Sequence, residues 1–471
     1  MSAKRRPIVC AIDLGYEFTK VSVRFPDDRG NYSGDIRPLL WPSSKPVHAL
    51  RTTVVYIGGM LEIGAQPHVR SQATSEVFEH FKLKALNPET YGSMVMSSDG
   101  ESQRPASEVL RAFLCRLYIE IRNNICGLRL DTTDRWRTLD IDFAFSVPGI
   151  VGLDGATRLT SMAKECNFEQ VRGLHKVIDV KITEPEAAGV YLLRKHKSHI
   201  QRGDVAMVLD LGGGTTDLSM IAMGRDDKWK LDMDLVNPVS SDRFGAASID
   251  HSVRALVEEY ALRHGLDPHQ AISIASSVTS DPEYLAAKVN MQVLGCTLGT
   301  TSLSAVETTG EIHVENDKLS LEGGLFTRLL DELIYGVDSS GGIAGLANTM
   351  RDDLYARSGF DMARGTRIEN SLRGEHHAVK IDHVFFAGGL GGSAYLRGKI
   401  REELQSTGGA VSEKLAMLTK DTRFHQWEEE NHSEAQLCIT YGIADHRVEE
   451  IMQDEGKSQF RFRSWLRSLA R

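Results

Sequence analysis

Two stretches of this chain carry residues of the types and spacing needed for phosphate and metal chemistry. AIDLGYEFTKVSV runs from residue 11 to 23 and MVLDLGGGTTDLSMI from 207 to 221, and each reads as an apolar strand, an Asp-Leu-Gly corner and a second strand. Gly212, Gly213 and Gly214 leave a tight turn with no side chains to hinder close approach to its backbone amides. Such amides make a concave anion nest. Asp13 and Asp210 head the two turns. There a hydrated magnesium ion could bridge a carboxylate to phosphate oxygens, because that ion takes oxygen ligands and keeps several of its waters. Two such turns facing each other would clamp a nucleotide.

The elements that must hold these turns are legible as patterns. After the first turn, Thr19, Val21, Val23 and Phe25 alternate with Lys20, Ser22 and Arg24, the period of a strand with one buried face. Each turn therefore joins two strands. A Walker loop feeds a helix through Gly-Lys-Ser/Thr, and no such run occurs here. A third glycine turn lies in IDHVFFAGGLGGSAYLRGKIREEL, residues 381 to 404, read as strand, turn and helix with Ser393 as the cap. Gly389, Gly391 and Ala394 there match a loose dinucleotide fingerprint, but no second strand carries the acid that fingerprint requires. Residues 246–264 read as a helix stopping at Gly265, 325–335 as a second helix, 297–309 as loop and 311–321 as a hairpin turning at Asn316 and Asp317.

Composition narrows the class. With 471 residues, of which 41% are hydrophobic and 25% charged, the chain is an ordinary globular protein, large enough for roughly two to four domains. A formal charge of −9 argues against a broad nucleic-acid-binding surface. Lys4, Arg5 and Arg6 precede an apolar run, but Asp13 interrupts it, so the run reads as a buried strand rather than a signal peptide. No uninterrupted apolar stretch approaches the roughly 20 residues that span a bilayer. The six cysteines are scattered with no CxxC pair, which leads us to expect a reducing compartment, the cytoplasm or the nucleus.

Between the two Asp turns lie IDFAFSVPGIVGLDGATRLTSMAKEC, a strand, Pro148 and a helix, and then VIDVKITEPEAAGVYLL. In the latter, Pro185 suits the first turn of a helix and leaves Glu184 beside its entrance. In sequence order, AIDLG, RTTVVYI at 51–57, SVPG at 146–149, ITEPEAA at 182–188, DLGGGTTD at 210–217 and AGGLGGSAYL make a set. That set resembles the ATPase domain of the heat-shock protein 70 family, within the actin-like superfamily, and in its glycine-rich third turn a divergent branch of it. The resemblance covers about residues 8 to 446. It implies an α/β fold, a bilobal actin-like ATPase with duplicated ribonuclease H-like lobes at 1–203 and 204–446 and an inserted α+β subdomain at about 246–380.

Carried over residue by residue, the resemblance implies that Asp13 and Asp210 orient the waters of Mg2+ and that Glu184 aligns the attacking water. Thr215 and the amides of Gly213 and Gly214 would face the terminal phosphate, and Lys82, or else Lys84, would position the nucleophile. Further ATP or ADP contacts are implied for Gly15, Tyr16 and Glu17 on the first turn, for Gly212 and Thr216 on the second, and for Gly388, Gly389, Gly391 and Ser393 on the third. Lys288 in EYLAAK would lie on the adenosine side, although the acid that accompanies it in the family falls on Leu285. Such roles suit phosphoryl transfer, where positioning and charge stabilisation do most of the catalysis. Plainer readings stand beside them: Glu184 as a carboxylate favouring a helix N-terminus, Lys82 as a solvated face, Arg51 and Arg158 as salt-bridge residues.

Two departures matter. Where the family carries small hydroxyl residues after the first turn, this chain has Tyr16 and Glu17. A carboxylate about 4 Å from a phosphate charge costs roughly 4 kcal/mol at an effective dielectric near 20, so Glu17 is expected to point away from the ligand. Second, some 25 residues follow position 446, too few for a peptide-holding domain. Those residues, 447–471, end in a basic tail, 457–471, whose Phe462, Trp465, Leu466 and Leu469 fall at helical spacing, fit to dock on a membrane surface, on a partner or on the chain's own acidic body. The function implied is a slow Mg-dependent ATPase or ATP sensor, chaperone-like and acting on protein partners or co-chaperones in trans. The alternatives are a nucleotide-binding scaffold without turnover, actin-like assembly included, and a small-molecule kinase of the same superfamily.

Overall fold

Ile8–Leu14 and Val205–Leu211 are buried at every position, which only a strand in the middle of a covered sheet can be. The computed structural model describes residues 6–41, 47–64, 75–98, 100–128, 133–201, 204–223, 231–235, 240–242, 245–279, 281, 283–284, 288, 296–298, 312–315, 318–335, 381–405, 418–425, 432–454 and 460–463. They form a mixed α/β structure built on two principal sheets. In the first, the order is His175–Val177, Ile141–Phe145, Ile8–Leu14, Phe18–Arg24, Arg37–Pro38. In the second it is Leu418–His425, Ile381–Ala387, Val205–Leu211, Thr216–Met223, Leu231–Leu235, with Phe460–Arg463 added at the edge. Numbered by sequence within each sheet, both run 5-4-1-2-3. In both, the Asp-Leu-Gly strand is antiparallel to its hairpin partner on one side and parallel to a later strand on the other.

Side-chain alternation then decides what each face covers. Ile8, Cys10, Ile12 and Leu14 pack with Ala106–Leu128 and Gly152–Ala163, while Met207, Leu209 and Leu211 pack with Ala246–Arg263, Pro268–Val278 and Gly323–Tyr335. The opposite faces, Val9 and Ala11 from one sheet and Ala206, Val208 and Phe385 from the other, share one core with Glu184–Lys195 and His432–Asp454. Those two helices therefore lie between the sheets. By the same period of two, Asp13 and Asp210 belong to these inner faces.

The helix pair approaches closely at Gly442, where an added Cβ would lie 1.7 Å from the carbonyl oxygen of Ala187. Gly442→Ala is expected to force the helices apart and destabilise the fold by about 1–3 kcal/mol, the scale of core overpacking. Gly398→Ala, on the helix Ala394–Gln405 with nothing near the new Cβ, should be neutral or mildly stabilising. Urea midpoints of the two variants measure the contrast, and equal midpoints would refute it.

Several expectations need correction. The boundary at 446 falls inside the helix His432–Asp454. That helix is tied to the first sheet through Ser22 and Thr440 (2.8 Å), Arg447 and Asp142 (2.7 Å), and Arg24 and Asp445. Chain order thus assigned it to one half while its polar anchors hold it to the sheet of the other. In the tail, Phe460–Arg463 is a strand parallel to Leu231–Leu235 rather than part of a helix. Phe-Arg-Phe-Arg also has period two, and the free sheet edge selects that reading; residues 464–471 lie outside the described residues. Cys296–Leu298, expected at the start of a loop, pairs with Lys318–Leu321. The hairpin Ile312–Glu315 with Lys318–Leu321 and the helix Ala246–Arg263 stand where the pattern placed them. Residues 336–380 of the expected subdomain lie outside the described residues. Among the described residues no helix is long and apolar enough to cross a membrane.

Candidate functional site

Both Asp-Leu-Gly turns open onto one cavity of about 390 Å³. In the first, the amide of Gly15 donates back to the carbonyl of Asp13 (3.1 Å). In the second, Gly212 N–H donates to the Thr215 carbonyl (3.0 Å), and the carbonyls of Gly212 and Gly213 accept from the amides of Ala246 and Ala247, which open the helix Ala246–Arg263. Asp13, Gly15, Asp210, Gly212, Gly213, Gly214 and Thr215 all line the cavity.

The hairpins differ in what faces each Asp across the strands. Asp13 pairs in register with Lys20, whose ammonium reaches its carboxylate at 3.0 Å. Asp210 pairs in register with Asp217, a like charge. Asp217 is itself held by Thr215 Oγ1–H (2.7 Å) and the amide of Gly149 (3.2 Å). Asp210 Oδ1 is buried with no hydrogen-bond partner. Gly388, at φ +79°, leaves it room, since a Cβ there would stand 2.5 Å from that oxygen.

Glu184, Asp210 and Asp217 are the one acidic group among the described residues whose ligand atoms lie within 4.8 Å of one another. Burial first, then the neighbouring carboxylates Glu184, Asp217 and Asp13, hold the Asp210 carboxyl well above the usual carboxylate range, with Lys20 opposing. Glu184 is pushed up to about 7 by burial, against the ammonium of Lys82 at 2.5 Å. Four buried carboxylates, Asp13, Glu184, Asp210 and Asp217, thus meet two ammonium groups, Lys20 and Lys82. Oxygen-only donors, one orphaned oxygen and an excess of negative charge fit a hard divalent cation.

This electrostatic arrangement has a pH signature. Carboxyl groups whose folded pKa is raised contribute stability that is complete below their unfolded values and is lost as the pH rises through the folded ones. With Glu184 and Glu17 both at about 7 and Asp210 raised, the metal-free protein should become easier to unfold between pH 4.5 and 8. Magnesium should restore the share of that loss that belongs to Asp210 and Glu184 at pH 8. Urea titrations at fixed pH with and without Mg2+ measure this, and a flat profile would contradict it.

Lys82 opens the short helix Lys82–Leu86 and is 1% exposed, whereas Lys84 donates to the Met94 carbonyl at the surface (3.0 Å). Geometry therefore puts Lys82, not Lys84, at the cleft. Glu184 opens Glu184–Lys195 with Pro185 in its first turn, and capping falls to Glu186, whose carboxylate accepts from Thr183 N–H and Oγ1–H at 2.7 Å each. Glu184 is left to face Lys82.

Glu17 does not point away, and Tyr16 lines the cavity with it. The Tyr16 ring stacks on His80 (centroids 4.7 Å apart) and lies against Gly214, where a Cβ would come within 2.4 Å of it. Glu17 lies beside Gly213 with its carboxylate 3.5 Å from Lys288, which also binds Asp250 at 2.8 Å. Tyr284 donates to the same Asp250 (2.5 Å). The ammonium that meets the inward-facing Glu17 is the buried Lys288, which Asp250 shares. Burial pushes Glu17 up to about 7, with Lys288 opposing and Asp250 adding. Lys288, expected on the adenosine side, is 3% exposed and committed to these two carboxylates, though it still lines the cavity.

At the third turn, Gly388 and Gly389 line the cavity, while Gly391 and Ser393 do not. The Gly391 carbonyl accepts from Arg397 (3.0 Å) and Ser393 Oγ accepts from the Leu396 amide (3.3 Å), both in helix-capping roles. Thr216 is buried in its strand, outside the cavity lining. Arg51 and Arg158 pair with Glu79 (3.6 Å) and Glu89 (2.6 Å). Sequence reasoning missed Lys20, Asp217, His80 and Asp250. A signal existed for two of them, since in each hairpin the residue facing the Asp lies seven positions on. Compared with known proteins, the chain matches no family model and no curated protein.

Proposed function

We propose that this cleft binds a magnesium nucleotide, and that the chain is a bilobal actin-like module with ribonuclease H-like lobes, of the heat-shock-70 type, using ATP to set the relation of its two sheets and thereby act on protein partners in trans. One observation carries the reading. Two Asp-Leu-Gly turns, each on the central strand of a sheet ordered 5-4-1-2-3, open onto one cavity in which Asp210 Oδ1 is buried and unpartnered.

In this reading Asp210 and Asp217, with Asp13 through waters, would hold the ion, which would supply positive charge to the phosphates. The amides of Gly213 and Gly214 would face phosphate oxygens, while those of Gly15 and Gly212 bond within their own turns. Glu184, with its pKa about 7 and Lys82 beside it, takes a proton from the attacking water near neutral pH, while Lys82 fixes that water's position and offsets charge. Thr215, whose hydroxyl donates to Asp217, would face the terminal phosphate. Calorimetry with Mg-ATP and single-turnover phosphate release test the proposal together. Binding with release supports it in full, and no binding at all would remove it.

A second reading has its own observation. Tyr16 and Glu17 occupy the space against Gly213 and Gly214. Binding without release would identify a nucleotide-gated scaffold in which those side chains displace the reactive geometry.

A further inference from the structure

At the end of the second sheet remote from the cleft, four histidines and an aspartate come together. Val205–Leu211 and Ile381–Ala387 run parallel, and their far ends deliver Asp210 and Gly388 to the cavity; their near ends carry Asp204 and His383. Six residues of strand separate the two places, about 20 Å. His425 ends the edge strand Leu418–His425, and His196 and His199 follow the helix Glu184–Lys195.

The hydrogen bonding is directional. Asp204 Oδ2 accepts from His383 Nε2 at 2.8 Å and from the amide of Gln201 at 2.7 Å. With the proton of His383 thus on Nε2, its Nδ1 carries a lone pair, and this faces His425 Nε2 at 3.0 Å. His383 is buried, its side chain 3% exposed. The His425 ring is held flat on Phe385 (centroids 4.3 Å, interplanar 9°), and the His196 ring stands 4.7 Å from it.

We propose that this cluster is a binding site for a zinc-class divalent cation, with His383 Nδ1, His425 Nε2 and His196 as ligands and Asp204 as the carboxylate that orients His383. Three arguments carry it. A carboxylate on the far nitrogen of an imidazole is the usual support of a metal-ligating histidine, fixing both tautomer and ring. A tetrahedral ion with metal–nitrogen bonds of about 2.0–2.1 Å sets its ligand nitrogens roughly 3.3 Å apart, so the His383–His425 separation of 3.0 Å is within a few tenths of an ångström of a ligating pair, and the two rings turn so that both lone pairs meet the ion. Imidazole nitrogens without thiolates select zinc and its neighbours over magnesium or calcium. To make room, His425 moves its proton to Nδ1, and a rotation of His196 supplies the third nitrogen. Bound metal would staple the edge strand and its neighbour to the end of the helix between the sheets.

The test titrates Zn2+ alone into chelator-treated full-length protein by calorimetry, with thermal unfolding as a second readout. One site per chain is expected, with a rise in unfolding temperature. His383→Gln and His425→Gln keep a hydrogen-bonding side chain but no imidazole, and each should weaken the site by more than the roughly 10- to 100-fold expected for Asp204→Asn. His196→Asn leaves the His383–His425 hydrogen bond intact, so a merely structural pair would not respond to it, whereas a ligand set loses affinity. Absence of stoichiometric binding, or binding that these variants leave unchanged, overturns the proposal.

Discussion

Asp210→Asn is expected to abolish magnesium-dependent nucleotide binding while making the metal-free protein harder to unfold above pH 7. Both effects follow from one carboxylate. In the folded protein Asp210 is buried, faces Asp217 across the hairpin and lies within 4.8 Å of Glu184. Two full charges at that distance repel by about 3 kcal/mol at an effective dielectric near 20. Asp210 avoids part of this by holding a proton, so relief appears only where the proton would leave, at the alkaline end. The amide keeps the shape and removes the repulsion, but it also removes a negative ligand from the ion. A stability gain with loss of Mg-ATP affinity, read by urea unfolding and calorimetry at pH 8, is the signature of a cation site. Unchanged Mg-ATP affinity would sink the reading of this cleft, and lost stability would show that Asp210 is a structural partner instead.

Replacing Tyr16 and Glu17 together by Ser should raise ATP affinity on the order of 100-fold. The Tyr16 ring fills the approach to Gly214, and the Cβ and Cγ of Glu17 crowd Gly213 while its carboxylate, 3.5 Å from Lys288, adds negative charge to the same cavity. A single negative charge at about 4 Å from phosphate opposes binding by roughly 4 kcal/mol at an effective dielectric near 20, and Glu17 escapes part of that by protonation. Glu17→Gln isolates the charge and should recover much of the gain, most clearly above pH 7, where the wild-type carboxyl is ionised. Lys288 keeps Asp250 as its partner in both variants, so the buried ammonium is not orphaned. The metal-free double variant should be less stable, having lost the stacking on His80. If affinity stays where it was, Tyr16 and Glu17 do not stand in the ligand's path.

Local chemistry was readable wherever it was a matter of neighbours in the chain. The Asp-Leu-Gly corners, the strands around them, the capped helix after Pro185 and the hairpin at 312–321 each rest on periodicities of two or 3.6 and on residues with narrow backbone preferences. Even Asp217 and Lys20 were within reach, because a tight hairpin dictates who faces whom.

Tertiary packing decided the rest. Whether Lys82 or Lys84 turns inward, and whether Glu17 faces out or in, depends on a salt-bridge partner about a hundred residues away or more, Glu184 in one case and Lys288 in the other. The tail strand had equal claims to two periods until a sheet edge offered it one. The same holds for the helix His432–Asp454, whose polar residues find the first sheet through Ser22 and Asp142. Sequence determined which groups carry charge and which segments are strands, because those follow from residue type and spacing. Only the folded chain could decide which charges are buried together, because the cost of burying them is set by neighbours that chain order does not reveal.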